Sequence, residues 1–285
     1  MQDGIISIQS HVAFGHVGNS AAAFPLQRLG HEVWPVNTVL FSNHTGYGAW
    51  RGDVLAVSTV REVLAGVEER GGFDRAKAVL SGYLGSPVLG EAVLETVSLV
   101  QARRPDALYV CDPVMGDIGR GFFVAEGIPA FFKHEAVPRA DVITPNQFEL
   151  AYLAAAELVT LTDVLVAARK VREMGPKLVM VTSLELGERQ GELGILAETT
   201  AGTWVVWTPR LDIQLNGTGD AFTALTLAFW LATGGDAAAT LEAAASAMFG
   251  LVEATLAAGE RELVLVAAQD RLTDPPRRFS AQRLR

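Results

Sequence analysis

Asn216-Gly217-Thr218-Gly219-Asp220-Ala221-Phe222 leads into an apolar run that ends at Ala232. Two glycines permit a tight turn that aims backbone N–H groups at a ligand, and the helix that follows turns its positive end toward an anion. An Asp in the first turn of that helix stands beside the anion, where it can take the proton of an attacking hydroxyl. Glycines, helix start and carboxylate together point to phosphoryl transfer. The same four residues Gly-Thr-Gly-Asp also suit an ordinary loop ahead of an acidic helix N-terminus. The rest of the chain has to decide between the two.

Outward from this segment, short β-like runs alternate with longer helical patterns. The residues predict strands near 4–9, 32–38, 76–81, 107–111, 140–144 and 177–182. Helices are expected over 18–29, 58–70, 87–103, 146–155 and 162–174. Such alternation makes βαβ units, hence an α/β fold with a mostly parallel sheet covered on both faces. Gly194-Ile195-Leu196-Ala197 and Thr203-Trp204-Val205-Val206-Trp207, separated by Glu198 to Gly202, predict an antiparallel edge hairpin. Beyond it, Ala-rich helices are expected at 220–232 and 236–258. No internal repeat, low-complexity tract or linker interrupts the pattern, so residues 1–285 read as one domain.

Composition narrows the class. At 285 residues, with 49% hydrophobic and 19% charged residues, the chain can bury a sizeable core. A net charge of −9 without a Lys/Arg cluster excludes a nucleic-acid or anionic-membrane footprint. Arg277-Arg278 lies in a Pro-containing tail and reads as solvated. The single cysteine, Cys111, excludes an internal disulfide and a Cys-based zinc site, and it ends an apolar run as a small buried residue. The N-terminus has no basic segment, and Ile5-Ile6-Ser7-Ile8 is too short for a signal sequence. The longest apolar stretch, Ala221 to Ala232, is too short to span a bilayer. A soluble, cytoplasmic protein is the expectation.

In open parallel sheets, ligands bind outside the carboxyl ends of the strands. Polar residues gather there: Ser10, Ser81 with Tyr83, Asp112, Thr144, and Thr182 with Ser183. Thr144-Pro145-Asn146-Gln147-Phe148-Glu149 reads as a helix start, with Thr144 as N-cap, Pro145 at the first position and Gln147 completing a capping box. Asn146 and Glu149, three apart on one face of the first turn, also suit a Mg²⁺ ion held through its waters. Phe41-Ser42-Asn43-His44-Thr45-Gly46-Tyr47-Gly48 is either a surface loop or a set of donors and rings for a small heteroaromatic ligand. Asp112 to Gly121 holds three glycines in ten residues and is expected to be mobile, as a cover over phosphates or as a plain connection. There is no Gly-x-x-x-x-Gly-Lys-Ser/Thr, and Phe222 stands where a dinucleotide fingerprint needs Gly or Ala. A P-loop NTPase and an NAD-dependent dehydrogenase are disfavoured.

Taken together, Gln9-Ser10-His11-Val12, Gly15-His16-Val17-Gly18-Asn19-Ser20, Phe41 to Tyr47, Ser81-Gly82-Tyr83, Cys111-Asp112-Pro113-Val114-Met115-Gly116, Thr144-Pro145-Asn146 with Glu149, and Gly217 to Asp220 resemble the pyridoxal kinases of the ribokinase-like superfamily. The likeness runs from about residue 4 to the end and is closest to the bacterial salvage type. Gly-Thr-Gly-Asp marks the superfamily; Gln-Ser-His-Val and Ser-Asn-His-Thr narrow it to pyridoxal. The resemblance implies a three-layer α/β/α fold and ATP-dependent phosphorylation of the 5′-hydroxyl of pyridoxal. By motif, Ser10, Thr45, Gly46 and Tyr83 would line the pyridoxal site, with Asp220 as catalytic base and Gly217 and Gly219 forming the anion hole. Asp112, Thr144, Glu149 and Thr182 would face ATP and its metal, and Pro209, Arg210, Leu211 and Asp212 would cover the nucleotide. Some relatives carry Lys where this chain has Thr182, and the Pro209–Asp212 segment precedes Asp220 by fewer residues than in some of them. The resemblance further implies Mg²⁺, a monovalent activator such as K⁺, and a homodimer. An Asp of ordinary pKa, about 3.9, is ionised at neutral pH and weak as a base, which suffices where the proton leaves late. Two rivals stand beside this reading: a kinase of the same superfamily acting on a hydroxymethylpyrimidine or a sugar, and a non-catalytic carrier of pyridoxal phosphate.

Overall fold

Residues Gly4 to Gln9 are buried one after another, which is what a strand between two helical layers requires. The computed structural model describes residues 3–284. In it these residues begin β1 (Gly4–Val12), and the chain returns through α1 (Asn19–Arg28) to a parallel neighbour, β2 (Glu32–Phe41). A short antiparallel strand, β3 (Gly52–Val54), closes that edge. Then α2 (Val57–Glu69) and α3 (Gly72–Arg75) carry the chain to β4 (Ala76–Ser81), on the other side of β1. Ser86 accepts from the Leu89 N–H and Pro87 occupies the first position of α4 (Pro87–Arg103), so sequence and structure agree on its bounds.

The chain continues through β5 (Leu108–Cys111), a two-stranded hairpin of β6 (Gly116–Asp117) and β7 (Gly121–Phe122), and α5 (Ile128–Phe131). Next come β8 (Val142–Ile143), α6 (Gln147–Ala154), α7 (Leu161–Arg172) and β9 (Leu178–Leu184). The expected hairpin is β10 (Glu192–Thr199) and β11 (Gly202–Pro209). The last elements are α8 (Thr218–Ala232), α9 (Ala237–Ala258) and β12 (Gln282–Arg283). Ten strands form one sheet in the order β12-β11-β10-β9-β8-β5-β4-β1-β2-β3. From β9 across to β2 the pairs are parallel, and both edges are antiparallel. A mostly parallel sheet between two helical layers is the architecture the sequence pattern called for.

Neighbouring strand residues divide between the two layers. Ile6, Ile8, Val79 and Val179 pack with Val93, Leu94, Leu150 and Val164 of α4, α6 and α7. Ile5, Ala78, Leu80 and Leu178 pack with Leu26, Leu225 and Leu241 of α1, α8 and α9. Cys111 is fully buried, and burial pushes its thiol up to about 12, so it is a core residue and no nucleophile. By length and composition α9, with 22 residues and a mean hydropathy of 1.3, could cross a membrane. It is a core helix here: 56% of that span is buried, and it packs on α8, β10 and β11.

Candidate active site

The glycine turn caps α8, and its two glycines do different work. Gly217 has φ +79°, and a Cβ there would overlap the His16 carbonyl oxygen, so both backbone and space demand glycine. At Gly219 an added Cβ would meet Asp112 Oδ2 at 3.6 Å, an ordinary contact. Chain packing therefore does not require Gly219. Its missing side chain leaves the N-terminal end of α8 open, where unpaired N–H groups and the helix dipole favour an anion. Asp220, in the first turn of α8, is partly buried at that opening. Burial lifts its carboxyl above the ordinary carboxylate value, partly offset by the N–H groups of Gly18 and of Asp220 itself. The unshifted value expected from sequence gives way to a stronger base.

Two more carboxylates lie behind it. Asp112 follows β5, is 4% exposed, and its Oδ2 has no hydrogen-bond partner. Burial, then the charges of Glu149 and Asp220, holds its carboxyl well above the usual range. Glu149 is also buried: Oε1 accepts from the Met115 N–H at 2.8 Å and Oε2 from the Asn146 N–H at 2.9 Å. Burial pushes it up to about 8 against those N–H donors.

Asn146 Oδ1 in turn accepts from the Glu149 N–H at 2.9 Å, so the N-cap of α6 is Asn146 and its capping box closes on Glu149. The expected Thr144 cap with Gln147 is corrected: the Thr144 N–H donates to the Cys111 carbonyl and its hydroxyl bonds Thr223, so neither is free for a capping box, and the helix starts two residues later. Thr144 instead shares a 2.6 Å hydrogen bond with Thr223, whose hydroxyl donates to the Gly219 carbonyl at 3.0 Å. That link ties the end of β8 to the first turn of α8. Gln147 accepts from the Glu185 N–H at 2.8 Å.

Among the described residues, no group of three or more His, Cys, Asp or Glu converges as a full metal shell. An orphaned buried Asp112 oxygen and a Glu149 that resists ionisation fit a hydrated Mg²⁺ whose remaining ligands come from a nucleotide. Asn146, expected to share that ion, spends Oδ1 on the cap and donates Nδ2 to the Gly116 carbonyl at 2.8 Å.

Glu149 also sets a pH dependence. Its ordinary value is 4.5 and its folded value about 8, so between them the folded chain keeps a proton that the unfolded chain has released. Stability then falls as pH rises through that interval, and the raised Asp112 and Asp220 push the same way. His11, His31 and His44 are lowered by burial and oppose this only below their ordinary 6.5. From pH 6.5 to about 8 the urea midpoint of the ligand-free chain is expected to fall, and Glu149→Gln to flatten the fall. A parent midpoint that stays level or rises contradicts the assignment.

On the substrate side, Thr45 and Gly46 lie in an exposed 3₁₀ turn after β2, capped by His44 Nδ1, which accepts from the Gly46 N–H at 3.1 Å. A Cβ on Gly46 would come within 3.7 Å of Asn216 Nδ2, so this turn rests on the glycine loop. Ser10 is half-buried near the end of β1, where Gly18, at φ +55°, folds back so closely that a Cβ would overlap the Ser10 carbonyl oxygen. That approach brings the Gly18 N–H to Asp220. Tyr83 is half-buried after β4, and burial raises its phenol. Ser81 is not on the ligand face: it is fully buried and bonded to the Tyr109 hydroxyl at 3.0 Å.

Thr182 bridges to Asn146, its N–H donating to the Pro145 carbonyl at 2.9 Å, and Ser183 beside it holds a left-handed φ of +55°. Pro209 ends β11 opposite Glu192. Arg210 pairs with Glu185 at 2.7 Å and its N–H donates to the Gly191 carbonyl, so the 209–212 segment is held on the β9–β10 side of the rim. Asp112 to Gly121, expected to be mobile, includes the β6–β7 hairpin, clamped to α6 by Phe122 against Phe148 at 5.1 Å and Tyr152 at 5.2 Å. Gly18, Thr223 and Glu262, which accepts from the His16 N–H and the Tyr47 hydroxyl, escaped the sequence reading. Only Gly18, inside a quoted motif, carried a local signal.

With this geometry in place, likeness to known proteins is informative. The phosphomethylpyrimidine kinase family model matches residues 54–265. The chain is 56% identical to a pyridoxal kinase PdxY of Rubrobacter xylanophilus over 283 residues, covering 98% of this chain and 97% of that one. It is 49% identical to a pyridoxal kinase PdxY of Leifsonia xyli, covering 98% and 99%. The structure superposes on a Leishmania donovani pyridoxal kinase in complex with ADP and pyridoxine at a TM-score of 0.92 and 31% identity, covering 99% of both chains. The chain belongs to the pyridoxal kinases, within the phosphomethylpyrimidine kinase family.

Proposed function

We propose that Asp220 is the base in the transfer of the γ-phosphoryl of ATP to the 5′-hydroxyl of pyridoxal. The reaction of this chain is ATP-dependent phosphorylation of pyridoxal. The observation that carries the assignment is the open positive end of α8 at Gly219, with Asp220 beside it and the orphaned Asp112 oxygen across from it.

In the proposed arrangement the γ-phosphate lies on the N–H groups of the Gly217–Gly219 turn. Ser10, Thr45, Gly46 and Tyr83 orient the pyridoxal so that its hydroxymethyl points at Asp220. A lifted carboxyl accepts the proton as the oxygen attacks, and positioning supplies much of the rate. Asp112, Thr144, Glu149 and Thr182 face the nucleotide and its metal, with Pro209, Arg210, Leu211 and Asp212 over its outer part. Mg²⁺, held through water by Asp112 and Glu149 together with the phosphates, would neutralise the charge shared by the transferring oxygens. Its charge would favour the ionised form of both carboxyls against the burial that raises them.

The rival acceptor is a hydroxymethylpyrimidine, a pyrimidine like the one in the name of the matching phosphomethylpyrimidine kinase family. Initial rates on pyridoxal, pyridoxine and 4-amino-5-hydroxymethyl-2-methylpyrimidine at equal concentration test the acceptor. The highest kcat/KM is expected for pyridoxal, and a higher one for the pyrimidine overturns the choice. A cytoplasmic homodimer activated by K⁺ completes the proposal; light scattering, cell fractionation and the rate without K⁺ read these in turn.

A further inference from the structure

We infer that Glu262 is a positioning residue for this reaction: its carboxylate joins the turn that carries Thr45 and Gly46 to the residue on which the phosphate-binding glycine rests. The inference builds on the kinase reading above. Oε2 of Glu262 accepts from the His16 N–H at 2.9 Å, and Oε1 accepts from the Tyr47 hydroxyl at 2.8 Å. The carbonyl oxygen of the same residue, His16, on the next peptide unit, is the one that packs against Gly217. Tyr47 is the last residue of the turn that begins at Thr45 and lies on Asn216. One carboxylate therefore holds both halves of the site, the acceptor side and the anion side, in register.

The contact is built in. Gly15 has φ +90°, and a Cβ there would come within 2.5 Å of the Glu262 carboxylate, so the loop after β1 leaves room for it. Glu262 stands on a fixed base: Leu263 and Leu265 are buried, and the Val264 N–H donates to the buried hydroxyl of Thr255. The Arg261 guanidinium lies 5.5 Å from the centre of the Tyr47 ring and steadies the same side chain. The turn itself is exposed, and besides this tie its Tyr47 ring meets the edge of the Phe14 ring, at 6.3 Å, and the Arg261 guanidinium. A loop of this kind opens at little cost unless it is tied down.

Two measurements test this: hydrogen exchange on the ligand-free chain, and steady-state kinetics on pyridoxal and ATP. Glu262→Ala removes two hydrogen bonds to a charged group, so exchange of amides in residues 42–47 is expected to rise about ten-fold, with β1 unchanged. The KM for pyridoxal is expected to rise about ten-fold while that for ATP stays within about two-fold. Tyr47→Phe, which removes one bond and keeps the ring, is expected to give about a three-fold rise in the pyridoxal KM. Glu262→Gln is expected to recover most of the loss, since its carbonyl can accept from His16 and its amide can donate to the Tyr47 oxygen.

Unchanged loop exchange in a folded Glu262→Ala chain, or equal rises in both KM values, overturns the inference. If that variant does not fold, Tyr47→Phe decides, and an unchanged pyridoxal KM overturns it. A parent chain that phosphorylates nothing defeats the kinase reading instead, and loop exchange still judges the tie at Glu262.

Discussion

Asp220→Asn is expected to lower kcat on pyridoxal by about 10³-fold, near the middle of what a positioned general base supplies, with the pyridoxal Kd within about three-fold. Asn keeps the shape and the acceptor oxygen that meets the Gly18 N–H, so the first turn of α8 stays in place. What it removes is the proton acceptor. Burial has already lifted the Asp220 carboxyl, and removing that buried acid should leave the fold equal or slightly more stable. Loss of turnover with a preserved melting curve and preserved binding is the signature of a base. Near-full turnover in the Asn variant removes Asp220 from that role.

The second large effect separates the two glycines. Gly217→Ala must hold an L-residue at φ +79° and move the His16 peptide, so the chain is expected to lose more than about 2 kcal/mol of stability along with its activity. Gly219→Ala meets only an ordinary contact and replaces glycine in a helix, so stability is expected to hold or rise. Its methyl group nevertheless occupies the open end of α8. A fall of about 10²-fold in kcat/KM for ATP is expected, the scale of one lost anion-hole donor. Urea unfolding and initial rates on the same two variants read both quantities. Equal destabilisation of the two, or full activity in Gly219→Ala, contradicts the anion-hole assignment.

What the sequence made legible was whatever had a local cause. The helical pattern over 87–103 marked α4, and short β-like runs marked β1, β4 and β9. The pieces it did not reveal were short or long-range. The strands β3 and β12 are only three and two residues, below any periodicity. At α6 two capping residues competed within three positions, and the long-range bonds of Thr144 to Cys111 and Thr223 left the cap to Asn146. Apolar α9 carries the composition of a span, but tertiary packing on β10 and β11 makes it core. In the site, Gly217, Asp220, Asp112 and Glu149 stood out by type and spacing. Glu262 gave no such sign, because its partner His16 is 246 positions away and only the fold brings them together.

Phosphorus and proton NMR of the product, formed by the purified chain from pyridoxal and Mg²⁺-ATP, test the central claim most directly. One new phosphomonoester resonance coupled to the 5′-methylene protons, with one ADP formed per ester, is the predicted result. Unconsumed ATP, or inorganic phosphate and ADP with the 5′-hydroxymethyl unchanged, would contradict it.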